Sequence, residues 1–265
     1  MASPLARVRS TSGYLASSLL LTGVLMGAWP CLAPAVASPD SSRNGAPAML
    51  EPHTASLLVD YYDAFLRDHD IDAFRQNVLA RYTEGTLARL AQSGDTRTRR
   101  AAVLALGLVG SFEVNEVVGR ALRDRDSTVR SLADNALWAI WFRADTPENN
   151  ATLERVRALI GQQRPENAAD LATRLIGRAP KFAEAYNQRA IAQFLLGRFE
   201  QSAADCRKVL ELNPYHFGAM SGLGQCYIRL GQRDEAIKIF RRALHIQPYS
   251  EGIRELIAGL EADSA

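Results

Sequence analysis

The sequence predicts an all-α protein, a right-handed α-solenoid of stacked helical hairpins. Three observations predict it. Residues 183–216 return as residues 217–250 with a period of 34, so that Ala185 falls on Ala219, Gly197 on Gly231, Arg207 on Arg241, Leu210 on Leu244 and Tyr215 on Tyr249. A second period, of 31 residues, places Asp95 on Asp126, Arg99 on Arg130, Ala102 on Ala133, Ala105 on Ala136 and Leu106 on Leu137. Pro180, Pro214 and Pro248 keep the 34-residue spacing and carry the first register one copy upstream. A repeat of this length is one helical hairpin that cannot bury its apolar face alone and must stack on a neighbour.

Residues 1–37 are expected to be an export signal. Arg7 and Arg9 form a basic start, Leu15 to Trp29 is mostly apolar, and Ala35-Val36-Ala37 supplies the small residues of a cleavage site. The apolar run is broken by Ser17, Ser18, Thr22 and Gly23, which disfavours a membrane-spanning helix. An uncleaved anchor in the inner membrane is the alternative, and periplasmic or secreted is the expected location. Cys31 follows Trp29-Pro30, which does not resemble a lipidation motif. Loss of Arg7 and Arg9 on cleavage brings the 31 basic residues level with the 29 acidic ones. An electroneutral protein argues against nucleic-acid binding, which normally needs a net basic face. Residues 38–55, rich in Ser, Pro, Ala and Gly, read as a flexible linker.

Residues 56–144 contain the 31-residue register. Leu58, Tyr61, Tyr62, Phe65 and Leu66 recur at helical spacing, then Phe74, Val78 and Tyr82, then Leu87 and Leu90 up to Gly94. Asp95 and Asp126 stand where a helix N-cap accepts backbone N–H groups. The alanines behind them permit close helix approach. Trp138, Trp141 and Phe142, at i, i+3 and i+4, share one face. They are read as a core seam where two kinds of repeat meet. Asp145 to Asn149 is a turn, with Pro147 near a helix start.

Residues 145–262 contain the 34-residue register. Leu153, Val156 and Leu159 mark the first helix of a degenerate copy, and Ala168, Leu171, Ala172 and Leu175 its second. Two better copies follow. A final helix carries Ile253, Leu256, Ile257 and Leu260 on one face and acidic or basic residues on the other, as a terminal cap must.

The segments around Arg99 and Arg130 resemble short HEAT-type repeats over residues 70–143. Tyr186, Ala190, Gly197, Phe199, Val209 and Pro214, then Leu223, Gly224, Tyr227, Gly231, Ala236, Phe240, Ala243 and Pro248, resemble the tetratricopeptide repeat signature. Ser202, Cys206 and Arg189 depart from it. The second resemblance implies a groove lined by the first helix of each hairpin, with Asn187, Ile191 and Phe194 inward from one repeat, Gln188 flanking them, and Ser221, Gln225, Ile228 and Arg229 inward from the next. It implies a protein or peptide partner. The clamp for charged tails used by some relatives needs Lys, Asn and Arg at defined inward places; here only Asn187 matches in type, while Ile191 and Gly222 occupy others, so such a clamp is not expected. The first resemblance raises a runner-up, since short HEAT-like repeats resemble those of bilin lyases. A membrane-anchored adaptor is the other alternative, and stacking of terminal helices on a second copy would give self-association.

The sequence carries no expectation of catalysis, cofactor or metal. No zinc spacing, phosphate-binding loop or nucleophile elbow occurs in it. Asp68-His69-Asp70 with Asp72 is read as a polar turn and helix cap. Cys206 and Cys226, on helices of consecutive hairpins, are expected either to pair or to pack as small apolar groups. The expected function is a non-catalytic scaffold in the cell envelope.

Overall fold

A computed structural model describes residues 57–262. The segment expected to be an export signal and the whole of the expected linker, residues 38–55, lie outside the described residues. Within them the chain is all-helical. Four helices open it, α1 (Leu57–Asp68), α2 (Ile71–Arg81), α3 (Glu84–Ser93) and α4 (Thr96–Val109). A 3-10 turn, Phe112–Val114, leads into the short α5 (Asn115–Ala121) and then α6 (Ser127–Phe142). Three hairpins follow: α7 (Pro147–Gly161) with α8 (Pro165–Arg178), α9 (Ala183–Leu195) with α10 (Phe199–Leu212), and α11 (Phe217–Arg229) with α12 (Arg233–Ile246). The last helix, α13, is Glu251–Ala262. None of these helices is long and apolar enough to cross a membrane.

The 31-residue register has a physical basis. Asp95 accepts the N–H of Thr98 at 2.9 Å, and Asp126 that of Val129 at 2.9 Å, so the two aspartates start α4 and α6 in the same way. Arg99 donates to the Gly94 carbonyl and Arg130 to that of Arg125, the same bond one period on. Arg99 also grips Asp124 with two bonds, and Arg100 grips Asp126 with two more. Such bidentate pairs fix orientation as well as contributing energy. The Arg100 guanidinium lowers the Asp126 carboxyl to about 2. Ala101, Ala102, Ala105, Ala133 and Ala136 are buried, which lets α4 and α6 lie close. Asp70 caps α2 by accepting the Ala73 N–H, the role expected of that acidic turn.

The 34-residue register is equally explicit. Each hairpin turns through a left-handed residue at one repeat position: Gln163 (φ 58°), Gly197 (φ 72°) and Gly231 (φ 70°). The next residue's N–H closes a six-residue loop onto the helix just ended: Arg164 to Leu159, Arg198 to Gln193 and Gln232 to Tyr227, each at about 2.9 Å. These are helix C-terminal motifs that need positive φ, which glycine adopts without strain. Residues 150–179 are therefore a full copy of the unit, with glutamine where the others have glycine. Pro147 and Pro165 occupy the first turns of α7 and α8, where no N–H is needed.

Hairpin cores are small-residue contacts. Ala168, Ala172, Ala185, Ala190, Ala203, Ala219, Ala236 and Ala243 are almost fully buried. Gly224 faces the Phe240 ring so closely that a Cβ there would lie 2.4 Å from it. Ser202, where the pattern favours alanine, donates its hydroxyl to the Ala190 carbonyl at 2.7 Å, so its polarity is satisfied inside the core. Cys206 and Cys226 are buried free thiols, and the Cys226 thiol donates to Ser202. In α13, Ile253 and Ile257 are buried and Leu256 is exposed, a one-sided helix closing the stack.

Candidate partner-binding surface

Helix α6 decides which parts of the three-hairpin array remain open. The sequence suggests a continuous or slightly kinked pile of hairpins. Instead α6 runs across the turns that join one hairpin to the next, touching three such turns in reverse order. Phe142, at its end, packs beside Ala179 and Phe182 in the first turn. Trp138 and Trp141 meet His216 and Phe217 at the second. Asp134 and Arg130 meet Gln247 and Tyr249 at the third. From Arg130 to Phe142 the helix covers about 18 Å at about 1.5 Å per residue. The aromatic face of α6 is too broad for a single neighbour to bury, and three successive turns supply the surface.

The turns offer repeated handholds. Positions 179, 213 and 247 carry Ala179, Asn213 and Gln247, each ending a helix through the same backbone bond. Asn213 accepts from the Asn115 side-chain amide at 2.9 Å, and Gln247 donates to Asp134 at 2.9 Å. Two positions on, Tyr215 lies over Gly119, where a Cβ would come within 2.5 Å of the ring. Tyr249 lies under the Arg130 guanidinium, 3.9 Å from its ring centre.

The middle of the seam is a buried polar network. His216 is fully buried and caps α11: its Nδ1 accepts the Ala219 N–H at 3.0 Å. The ring proton therefore sits on Nε2 and is donated to Glu184 at 2.8 Å, which makes the imidazole neutral. The other Glu184 oxygen accepts from Asn187 at 2.8 Å and Gln188 at 2.7 Å. Trp141 stacks on the imidazole and donates its indole N–H to Asn115 at 2.7 Å. Within this network the Asn213 side-chain N–H is left without a partner. Burial pushes the nearby Asp134 carboxyl up to about 6, with Gln247 pulling it only part of the way back.

The eight residues expected to line the groove divide in two. Asn187 and Gln188 are 4% and 5% exposed, and both amides are spent on Glu184. Both side chains are turned into the seam rather than into an open groove. Phe194 is buried edge-to-face against Phe199. Ile191 is half-buried beside the first hairpin's core. Ser221, Gln225 and Ile228 are half-buried on one face of α11, and Arg229 is exposed. The Arg229 guanidinium lies 4.5 Å above the Phe199 ring and 5.8 Å from that of Phe194, with no carboxylate among the described residues bound to it. The open part of the expected groove thus runs from Ile191 to Arg229, away from the splinted turns. The sequence pattern attaches no site role to Glu184 or His216, and it marks Tyr215 only as the repeat match of Tyr249.

Tetratricopeptide repeat families match residues 153–217 and 194–260. This part of the chain is a tetratricopeptide repeat array. The chain is similar to a repeat-containing protein of Rhizobium etli, 26% identical over 144 residues, which covers 54% of this chain and 71% of the relative. It is also similar to the human FK506-binding protein-like, 33% identical over 88 residues, covering 33% of this chain and 25% of that protein. The first tetratricopeptide repeat domain of Spaghetti (RPAP3), solved with an HSP90 peptide, aligns with a TM-score of 0.44 at 23% identity, covering 46% of this chain and 97% of that one. Arrays of such repeats are protein-binding scaffolds that present an extended concave surface.

Proposed function

We propose that this protein is a non-catalytic scaffold that captures a protein or peptide partner on the exposed stretch of the repeat groove, with Arg229 as its charged anchor. The observation that carries the reading is the contrast within the groove. Asn187 and Gln188 are consumed by the seam, whereas Ser221, Gln225, Ile228 and Arg229 remain accessible on one face. Ser and Gln side chains there supply donors and acceptors for a peptide backbone. The Arg229 guanidinium carbon lies over the Phe199 ring, and no carboxylate among the described residues holds its N–H fork.

The same reading places the scaffold in the cell envelope, supported by the basic start, apolar run and small-residue site of residues 1–37. Amino-terminal sequencing of the protein purified from its host should begin near Ser38. A start at the initiator would favour the anchored adaptor.

The binding reading is tested by affinity capture from an envelope extract with the wild type beside the Gln225→Ala/Arg229→Ala variant. Species recovered by the wild type should be lost or reduced at least tenfold with the variant, at unchanged helical content. Equal recovery by both proteins would remove the groove from the function.

A further inference from the structure

Where α6 crosses the third turn, a cleft of about 480 Å³ is left open, lined by Leu122, Arg130, Ser131, Asp134, Asn135, Gln247, Tyr249 and Ser250. Its volume is that of a small-molecule site. It stands apart from the groove residues and belongs to no repeat consensus, because one wall comes from α6 and the other from the turn after α12.

The cleft holds two charges of opposite sign that do not neutralise each other. Arg130 and Asp134 are i and i+4 on α6, side by side on one helix face. Such a pair would ordinarily close on itself, and here each member is held elsewhere. The Arg130 guanidinium donates to the carbonyls of Asp124 and Arg125 and lies over Tyr249. One Asp134 oxygen accepts from Gln247. The upstream counterpart of Arg130 shows what is missing: Arg99 makes the same carbonyl bond and is then closed by two bonds to Asp124. Among the described residues no carboxylate takes that place on Arg130; Tyr249 stands there instead. Among them the second Asp134 oxygen likewise has no cation. Around these charges the lining is neutral and polar, with two hydroxyls from serine, two side-chain amides and one tyrosine, and only Leu122 is aliphatic.

We propose that this cleft binds a small dipolar solute of the α-amino-acid type, its ammonium on the free oxygen of Asp134 and its carboxylate on the Arg130 fork. Ser131, Asn135 and Ser250 then serve the remaining polar atoms of the ligand. Because the ligand touches α6 on one side and the α12–α13 turn on the other, binding ties the splint to the last repeat.

The test is calorimetric titration and thermal shift of the full chain at pH 8 with a panel of L-amino acids, and with L-alanine beside its single-charge analogues ethylammonium and propionate. At least one amino acid should bind, and each analogue should bind at least tenfold more weakly than alanine. Asp134→Asn and Arg130→Gln should each lower affinity at least tenfold while keeping the circular dichroism spectrum. Affinity of the wild type should also fall between pH 8 and pH 5, as the Asp134 carboxyl takes up its proton. The proposal is overturned if no amino acid binds, if ethylammonium or propionate binds as well as alanine, or if Asp134→Asn binds undiminished. Should either variant lose its fold, the analogue series and the pH dependence decide the matter on the wild type alone.

Discussion

Trp141 and His216 stack face to face, 4.2 Å between ring centres and 17° between planes, although one ends the helix preceding the repeats and the other starts the third hairpin's first helix. Both are essentially inaccessible to solvent. The pair therefore couples the two halves of the described chain. Replacing Trp141 with alanine removes this stack, the edge contact with Trp138 and the indole bond to Asn115. Truncation of a buried aromatic costs about 3–5 kcal/mol. Urea unfolding of Trp141→Ala should lose stability of that order, and its single transition should split as the repeats and the preceding helices come apart. A variant that still unfolds in one step at the wild-type midpoint would show that the halves are held together elsewhere.

The left-handed turn positions give a prediction of opposite signs. Gln163 adopts φ 58° with a side chain, at a cost of about 1 kcal/mol relative to glycine. Gly197 and Gly231 adopt the same conformation in open space, so only backbone strain opposes a Cβ there. Gln163→Gly should stabilise the protein by about 0.5–1 kcal/mol, while Gly197→Ala and Gly231→Ala should each destabilise it by about 1 kcal/mol. Thermal melts of the three variants settle the signs. Destabilisation by Gln163→Gly would mean that the first copy does not use this turn.

Asp134 makes stability depend on pH. Burial raises its carboxyl from 3.8 in the unfolded chain to about 6 in the folded one. Between these values the folded state binds the extra proton, so stability falls as pH rises from about 4 to about 6 and stays low above that. The full effect is at most about 3 kcal/mol at about 1.4 kcal/mol per pH step. Asp134→Asn keeps an acceptor for Gln247 and removes the charge. It should be more stable than the wild type at pH 7.5 and lose this part of the pH slope, as read from denaturation midpoints at pH 4.5, 6 and 7.5. A slope identical in variant and wild type would reassign the effect to another group.

The repeats were legible because their constraints are local. Asp95 and Asp126 cap helices in the pattern their spacing indicates, and the glycine turns and prolines keep the hairpins in register. The course of α6 was not, because it depends on contacts far apart in sequence. Trp138, Trp141 and Phe142 announce an apolar face, yet nothing local says that it spans three turns rather than capping one. The same contact changes the groove. Asn187 occupies an inward position of a repeat with Gln188 beside it, and the presence of Glu184 next to a buried His216 makes both of them internal donors. Gln163 hid the turn of the first copy because left-handed geometry is not written in a glutamine.

The division between seam and groove predicts different consequences for residues on neighbouring repeat positions. Asn187→Ala removes one of three donors from the buried Glu184 carboxylate and leaves that acceptor short of a bond, at a cost of about 1–3 kcal/mol. Arg229→Ala removes an exposed side chain that only rests on Phe199, and its stability should change by less than about 1 kcal/mol. Ala236 is fully buried between helices, so Ala236→Arg forces a long charged chain into a contact with no room and should unfold the third hairpin. Chemical denaturation and partner capture measured on the same three proteins separate these roles. Asn187→Ala should lower stability while still capturing partner below its unfolding midpoint, Arg229→Ala should keep stability and lose capture, and Ala236→Arg should lose both. If Arg229→Ala instead captured normally and Asn187→Ala failed while folded, the recognition surface would lie on the seam side of the array.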